Sequence, residues 1–203
     1  MSLTSKKPRP LNRSSASRDA KLFVIATEGE ITEPQYFKLF RSTRIQIKIL
    51  KTEKGHSAPK KVLERLSAYK EDYQLDKNDR LFLVIDTDRW PAKTLAQVAK
   101  SCHEQNIILA ASNPCFEIWI ALHFFEAANV EKTSKDIQQQ LQNHLGGYNK
   151  IIKPHWFSIK NITEAYEKAK ILDAGSKDRW PQSSGTRVYR IIEELKESLN
   201  ITT

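Results

Sequence analysis

The chain has 203 residues, with 33 Lys+Arg against 24 Asp+Glu and a formal net charge of +9. That length fits one domain, or one domain with an elaboration, and is enough to bury a sizeable core. The basic balance favours a polyanionic partner such as nucleic acid, while no apolar run is long enough to span a membrane. No apolar core follows the basic N-terminus, as a secretory signal would require. Cys102 and Cys115 are the only cysteines and form no CxxC. They suit a reducing cytoplasm and argue against a thiolate metal site.

Residues 1–20 carry Lys6, Lys7, Arg9, Arg13 and Arg18 against Asp19. The segment is rich in Pro and Ser and lacks periodicity, so it reads as a disordered basic tail. It would serve as a nucleic-acid arm or only as a solubilising tail. At Lys21 an alternation of strands and helices begins. "KLFVIAT" (21–27) is a nearly continuous apolar run of the kind buried on both faces of a parallel sheet. Thr32-Glu33-Pro34-Gln35 then reads as a helix start, with Thr32 as cap and Gln35 returning a bond. "IQIKIL" (45–50) alternates as an edge strand does. Residues 57–73 are helical in period, "RLFLVID" (80–86) is a second buried strand, and 94–105 is helical again. "IILAA" (107–111) is a fourth strand, after which Asn113-Pro114 opens a helix running to about Phe125.

Strands alternating with helices of this length imply a parallel sheet with right-handed crossovers. The fold class is therefore α/β, with about four parallel strands sandwiched by helices over residues 21–126. Residues 127–203 read as a C-terminal α-helical elaboration, with helices at 131–144, 161–172 and 186–199.

Acidic residues gather where the buried strands stop. Glu28, Glu30 and Glu33 follow the first strand, and Asp86 and Asp88 end the third. Open parallel sheets place ligand sites at the carboxyl ends of their strands. If the first and third strands are neighbours, Glu28, Asp86 and Asp88 converge on one crevice. Carboxylates that close repel, and a hard divalent cation such as Mg²⁺ or Mn²⁺ removes the repulsion. Such an ion clamps phosphate and activates water. The plainer alternative is that these acids cap helices and fill turns.

"EGEITEPQYF" (28–37), "DTDRW" (86–90), "NPCFEIWIALHF" (113–124) and "GGYNK" (146–150) together resemble the RloB-like family, which is similar to Toprim proteins. The resemblance implies a Toprim-like fold, as in topoisomerases, primases and overcoming-lysogenisation-defect nucleases. It also implies a general acid/base or metal contact at Glu28 and Mg²⁺ ligands at Asp86 and Asp88. RloB-like proteins occur near restriction-modification and phage-defence loci, which implies a defence nuclease acting on DNA or RNA. Related nucleases often place a further acid four residues after the first glutamate. Here that position is Thr32, with Glu33 next, which bears on a second metal site.

Glu117, one turn into the helix after Asn113, would complete the metal shell or only favour the helix dipole. Arg89, Lys150, Lys153 and Arg187 are candidates for phosphate contacts, or else ordinary exposed cations. Trp90, Trp156 and Trp180 would stack on bases or pack under loops. His123 reads as a packing residue and His56 as a loop residue. The leading expectation is an Mg²⁺-dependent nuclease. The competing one is a non-catalytic subunit that binds nucleic acid or a genomically linked ATPase. Oligomerisation stays open.

Overall fold

The computed structural model describes residues 6–10, 20–40, 42–52 and 56–199. Its centre is a five-stranded sheet in the order β2-β1-β3-β4-β5. The strands are β1 (Lys21–Thr27), β2 (Ile45–Leu50), β3 (Arg80–Asp86), β4 (Ile108–Asn113) and β5 (Gly185–Thr186). The first four run parallel, and β5 pairs antiparallel with Ser112 and Asn113. The arrangement is compatible with a Toprim-like fold.

Alternation along each strand divides the core into two layers. Phe23, Ile25, Phe82 and Val84 face one layer, Leu22, Val24, Ala26, Leu81, Leu83 and Ile85 the other. The second layer is closed by α2 (Pro59–Asp72) and α3 (Ala92–Glu104), through Val62, Leu66, Leu95 and Val98. The first is closed by α1 (Thr32–Phe37), α4 (Glu117–Ala121), α5 (Ser134–Leu145), α6 (Ile159–Leu172) and α7 (Tyr189–Leu199). Because both faces are covered, β1 is buried from Leu22 onward, as its continuous apolar run requires. β2 lies at one edge of the sheet, as its alternation predicts.

Three local expectations need correction. The sheet has a fifth strand where the last helix was expected to begin, and α7 starts only at Tyr189. Asn113 ends β4 rather than capping a helix; α4 begins at Glu117, and single turns carry the chain on to Phe125. Thr32 is the first helical residue, after Ile31, and makes no capping box with Gln35. Both side chains reach across to another segment instead. The Thr32 hydroxyl donates to the Lys150 carbonyl (3.2 Å), and the Gln35 side-chain oxygen accepts from the Ile152 amide (2.9 Å).

The basic N-terminal segment departs from the expected disorder where it is described. Residues 1–5 and 11–19 lie outside the described residues. Within 6–10, the Lys7 amide donates to the Asp72 carbonyl (2.8 Å) and the Gln74 amide to the Lys7 carbonyl (2.9 Å). Arg9 forms a forked pair with Asp79. The Asp79 side chain is 1% exposed and also accepts from the Leu22 amide at the start of β1 and from the Asp76 amide. One carboxylate thus ties the N-terminal segment to the entrance of the sheet. Removing it leaves a guanidinium and two amides short of an acceptor, which costs about 3 kcal/mol. Asp79→Ala is therefore expected to lose about 3 kcal/mol in urea unfolding. A loss below about 1 kcal/mol would show that the bonds to Asp79 are replaceable by water.

Candidate functional site

The site begins where β1 leaves the ladder. One residue past the strand, the Glu28 amide still donates to the Val84 carbonyl of β3 (2.9 Å). The Glu28 side chain then takes over the pairing. Its Oε2 accepts from the Asp86 amide (3.1 Å) and its Oε1 from the Trp90 indole Nε1–H (3.0 Å). Asp86 passes the connection to the next segment, accepting from the Phe116 amide (2.8 Å). Glu33 folds back from α1, and its Oε1 accepts from the Gly29 amide (2.8 Å). A Cβ at position 29 would fall on the Glu33 carboxylate, so glycine is what lets the two approach. Glu117, at the head of α4, is buried and accepts from the Tyr148 hydroxyl (3.3 Å).

Glu28, Glu33, Asp86 and Glu117 line one crevice of about 180 Å³, with Arg89 and Lys150 in its wall. Burial dominates the electrostatics. It pushes the Glu28 carboxyl up, against the hydrogen bonds from Trp90 and the Asp86 amide. Glu33 is pushed up to about 7, first by burial and then by the charges of Glu117 and Glu28. Asp86 is driven well above the usual carboxylate range, again by burial first and then by Glu33, Glu28 and Glu117. Arg89 and Lys150 are exposed and leave much of this repulsion uncompensated.

A family profile described as RloB-like protein matches residues 23–195. The chain belongs to the RloB-like family. No curated protein and no solved structure matches it. The RloB-like match contains every acidic residue of the crevice.

Of the residues that the RloB-like sequence singles out, the structure brings Glu28, Glu33, Asp86 and Glu117 together, with Arg89 and Lys150. Asp88 is exposed at the edge of the site and absent from the crevice lining; its Oδ2 accepts from the Ser134 hydroxyl (2.5 Å). Lys153 is exposed and sits over the Trp156 ring, 5.3 Å from its centroid. Arg187 needs correction as a phosphate contact. Its side chain is 2% exposed and grips Asp173 through Nε and Nη2 (2.8–3.0 Å). Such a guanidinium is committed to holding the fold. His123 is buried, contacts the Tyr36 hydroxyl (3.1 Å), and is pushed down to about 3 by burial, in line with a packing role. His56 is exposed.

Two supporting side chains escaped the sequence reading. For Trp90 the sequence leaves base stacking or packing under a loop open, and neither includes the indole N–H that serves Glu28. Tyr148, within "GGYNK", serves Glu117. A tryptophan four residues after a strand-end acid and a buried tyrosine beside a Gly-Gly turn were the available signals.

Among the described residues, no three Asp, Glu, His or Cys side chains are gathered as a ready cation site. The donor chemistry nevertheless fits a hard divalent ion: oxygen-only ligands, partly dehydrated, with like charge left unbalanced. Glu33 carries the clearest consequence. Its folded pKa, about 7, lies above the ordinary 4.5, so the folded state holds this proton more tightly than the unfolded chain does. Stability is therefore greatest below the ordinary value and falls as pH rises from 4.5 to about 7. In EDTA, Glu33→Gln keeps an oxygen for the Gly29 amide and removes the charge. The variant is expected to melt higher than the parent at pH 8 and level with it at pH 4.5. Equal melting at both pH values would show that the Glu33 charge is compensated.

Proposed function

We propose that this RloB-like protein is a Toprim-type phosphodiesterase that cleaves DNA or RNA with Mg²⁺ or Mn²⁺, acting in phage defence. The observation that carries the reading is the joining of Glu28 to Asp86 at the carboxyl ends of adjacent parallel strands. Two further buried acids face the same crevice. Ligand chemistry in open parallel sheets belongs at this end. A divalent ion there would supply Lewis-acid polarisation of a phosphoryl oxygen and a more acidic water. In this reading Asp86, Glu33 and Glu117 would hold the ion once drawn together around it. Glu28 stands beside them, fixed by Trp90 and the Asp86 amide, and takes the proton of the attacking water or contacts the ion. Asp88 would add a further oxygen donor if it left Ser134. Arg89 and Lys150 hold the phosphate at the wall of the crevice and offset charge as it builds on the breaking ester.

The rival reading is a non-catalytic subunit that binds nucleic acid or a genomically linked ATPase. It draws support from Asp88, which is bonded to Ser134, and from the lack of a gathered cation site among the described residues. Cleavage assays decide between the two. With Mg²⁺ or Mn²⁺ and both DNA and RNA substrates, Glu28→Gln and Asp86→Asn are each expected to lose at least about 100-fold in rate. Loss of a bond that orients a ligating carboxylate typically costs about 10–100-fold, and Trp90→Phe is expected in that range. Equal cleavage by the parent and both acid variants would end the assignment. An inert parent that also takes up no Mn²⁺ in calorimetry would favour the subunit.

A further inference from the structure

A second cavity, of about 560 Å³, lies at the opposite end of the sheet from the acidic crevice, beside the start of β4. Ile107 and Leu109 form its floor, and Lys100, His103, Arg179 and Arg190 stand around it. Asp178 is the one acidic residue among the lining residues described. The permanent cations Lys100, Arg179 and Arg190 come from three places in the chain: the last turns of α3, the loop after α6, and α7.

Charge accounting favours an anionic occupant. Arg187 also reaches this wall, but Asp173 takes up its charge. Arg190 shares that same aspartate, at 3.5 Å, so one carboxylate faces two guanidiniums, and Lys100, Arg179, Arg187 and Arg190 together outnumber Asp173 and Asp178. The Arg190 guanidinium also lies over the Tyr189 ring, 5.9 Å from its centroid, which holds it in place. Lys100 meets Glu104 at 3.7 Å on an exposed helix face, a pairing that contributes little in water. Arg179 is exposed and, among the described residues, has no ion-pair partner. A fixed guanidinium beside mobile cations is the arrangement that grips phosphate oxygens in pairs.

The loop bearing Arg179 runs along the edge of β4. Pro181, two residues on, accepts through its carbonyl from the Asn113 side chain (3.0 Å) at the far end of that strand. The half-buried Trp180 lies between and packs on the same core layer as Trp90, which serves Glu28. A strand of this length spans about 20 Å, the reach of a few nucleotides. We infer that this groove is a second nucleic-acid contact, taking phosphodiester backbone about one strand length from the acidic crevice. The inference rests on the nucleic-acid part of the proposed function, not on cleavage.

The test is fluorescence anisotropy in EDTA, with labelled single-stranded DNA, single-stranded RNA and duplex DNA. Arg179→Glu combined with Lys100→Glu changes two exposed residues, and circular dichroism and melting confirm that the fold is kept. Each phosphate contact contributes about 0.9 to the slope of log affinity against log salt. The double variant is expected to bind at least about 10-fold more weakly and to lower that slope by about 2. Binding at parental strength and slope would overturn the groove. So would tight capture of polyglutamate at these residues by a protein that binds no nucleic acid, since the occupant would then be an acidic peptide. Binding that depends on the groove, in a protein that never cleaves, would uphold this inference while removing the hydrolytic reading.

Discussion

The structure turns on the parallel pairing of β1 with β3 and on what happens one residue past its end. A strand that stops must give its next polar groups new partners. Here the Glu28 amide continues to Val84, and the Glu28 carboxylate replaces the missing strand by accepting from the Asp86 amide. Asp86 does the same for Phe116. The last rung of the sheet is thus built from side-chain carboxylates. They are buried because the sheet is covered on both faces, and they are close because neighbouring parallel strands end side by side. The raised pKa values, the crevice and the chemistry proposed for it all follow from that rung.

A formal charge of +9 says little about where cations are available. Several of them are committed to the fold. Arg9 holds Asp79 at the sheet entrance, Arg187 grips Asp173, and Arg80 reaches Glu194 on α7 (3.0 Å). Arginine suits this work because its planar fork satisfies two carboxylate oxygens at once. The cations left to meet a ligand are therefore set by tertiary pairing, and composition does not reveal it. Arg187 shows the point: in the sequence it is one more basic residue after a glycine, and in the fold it is sealed against an aspartate.

The parts of the fold that the sequence made legible are those with local periodicity. β1 and β3 announce themselves as unbroken apolar runs because both of their faces are covered, and β2 as an alternating edge strand. The adjacency of β1 and β3 was only a condition in the sequence; the order β2-β1-β3 meets it and brings Glu28 and Asp86 to one place. What stayed hidden depends on partners distant in the chain. β5 is two residues long and has no pattern of its own; it exists because Ser112 and Asn113 offer it an edge. Residues 6–10 hold no periodic signal, and their order comes from Asp72, Gln74 and Asp79. Asp88 lies two residues past the end of β3, and the turn there sends it to Ser134 instead of into the crevice.

The departure at Thr32 has a physical reading that the sequence alone could not supply. Successive residues of a helix are rotated by about 100°. In α1, position 32 points toward the 150–152 segment, where the Thr32 hydroxyl meets the Lys150 carbonyl. Position 33 points back over Gly29 into the crevice. A carboxylate at 32 would face a carbonyl oxygen, while one at 33 faces an amide hydrogen and the other acids. Moving the acid one residue along therefore keeps a carboxylate in the cluster with the helix as it is oriented here. Gly29 leaves room for it, since any larger residue would occupy the space of the Glu33 carboxylate. Thr32 in turn anchors the loop that carries Lys150 to the crevice wall. Two adjacent residues thus serve differently: Thr32 anchors the 150–152 segment, and Glu33 adds its carboxylate to the crevice.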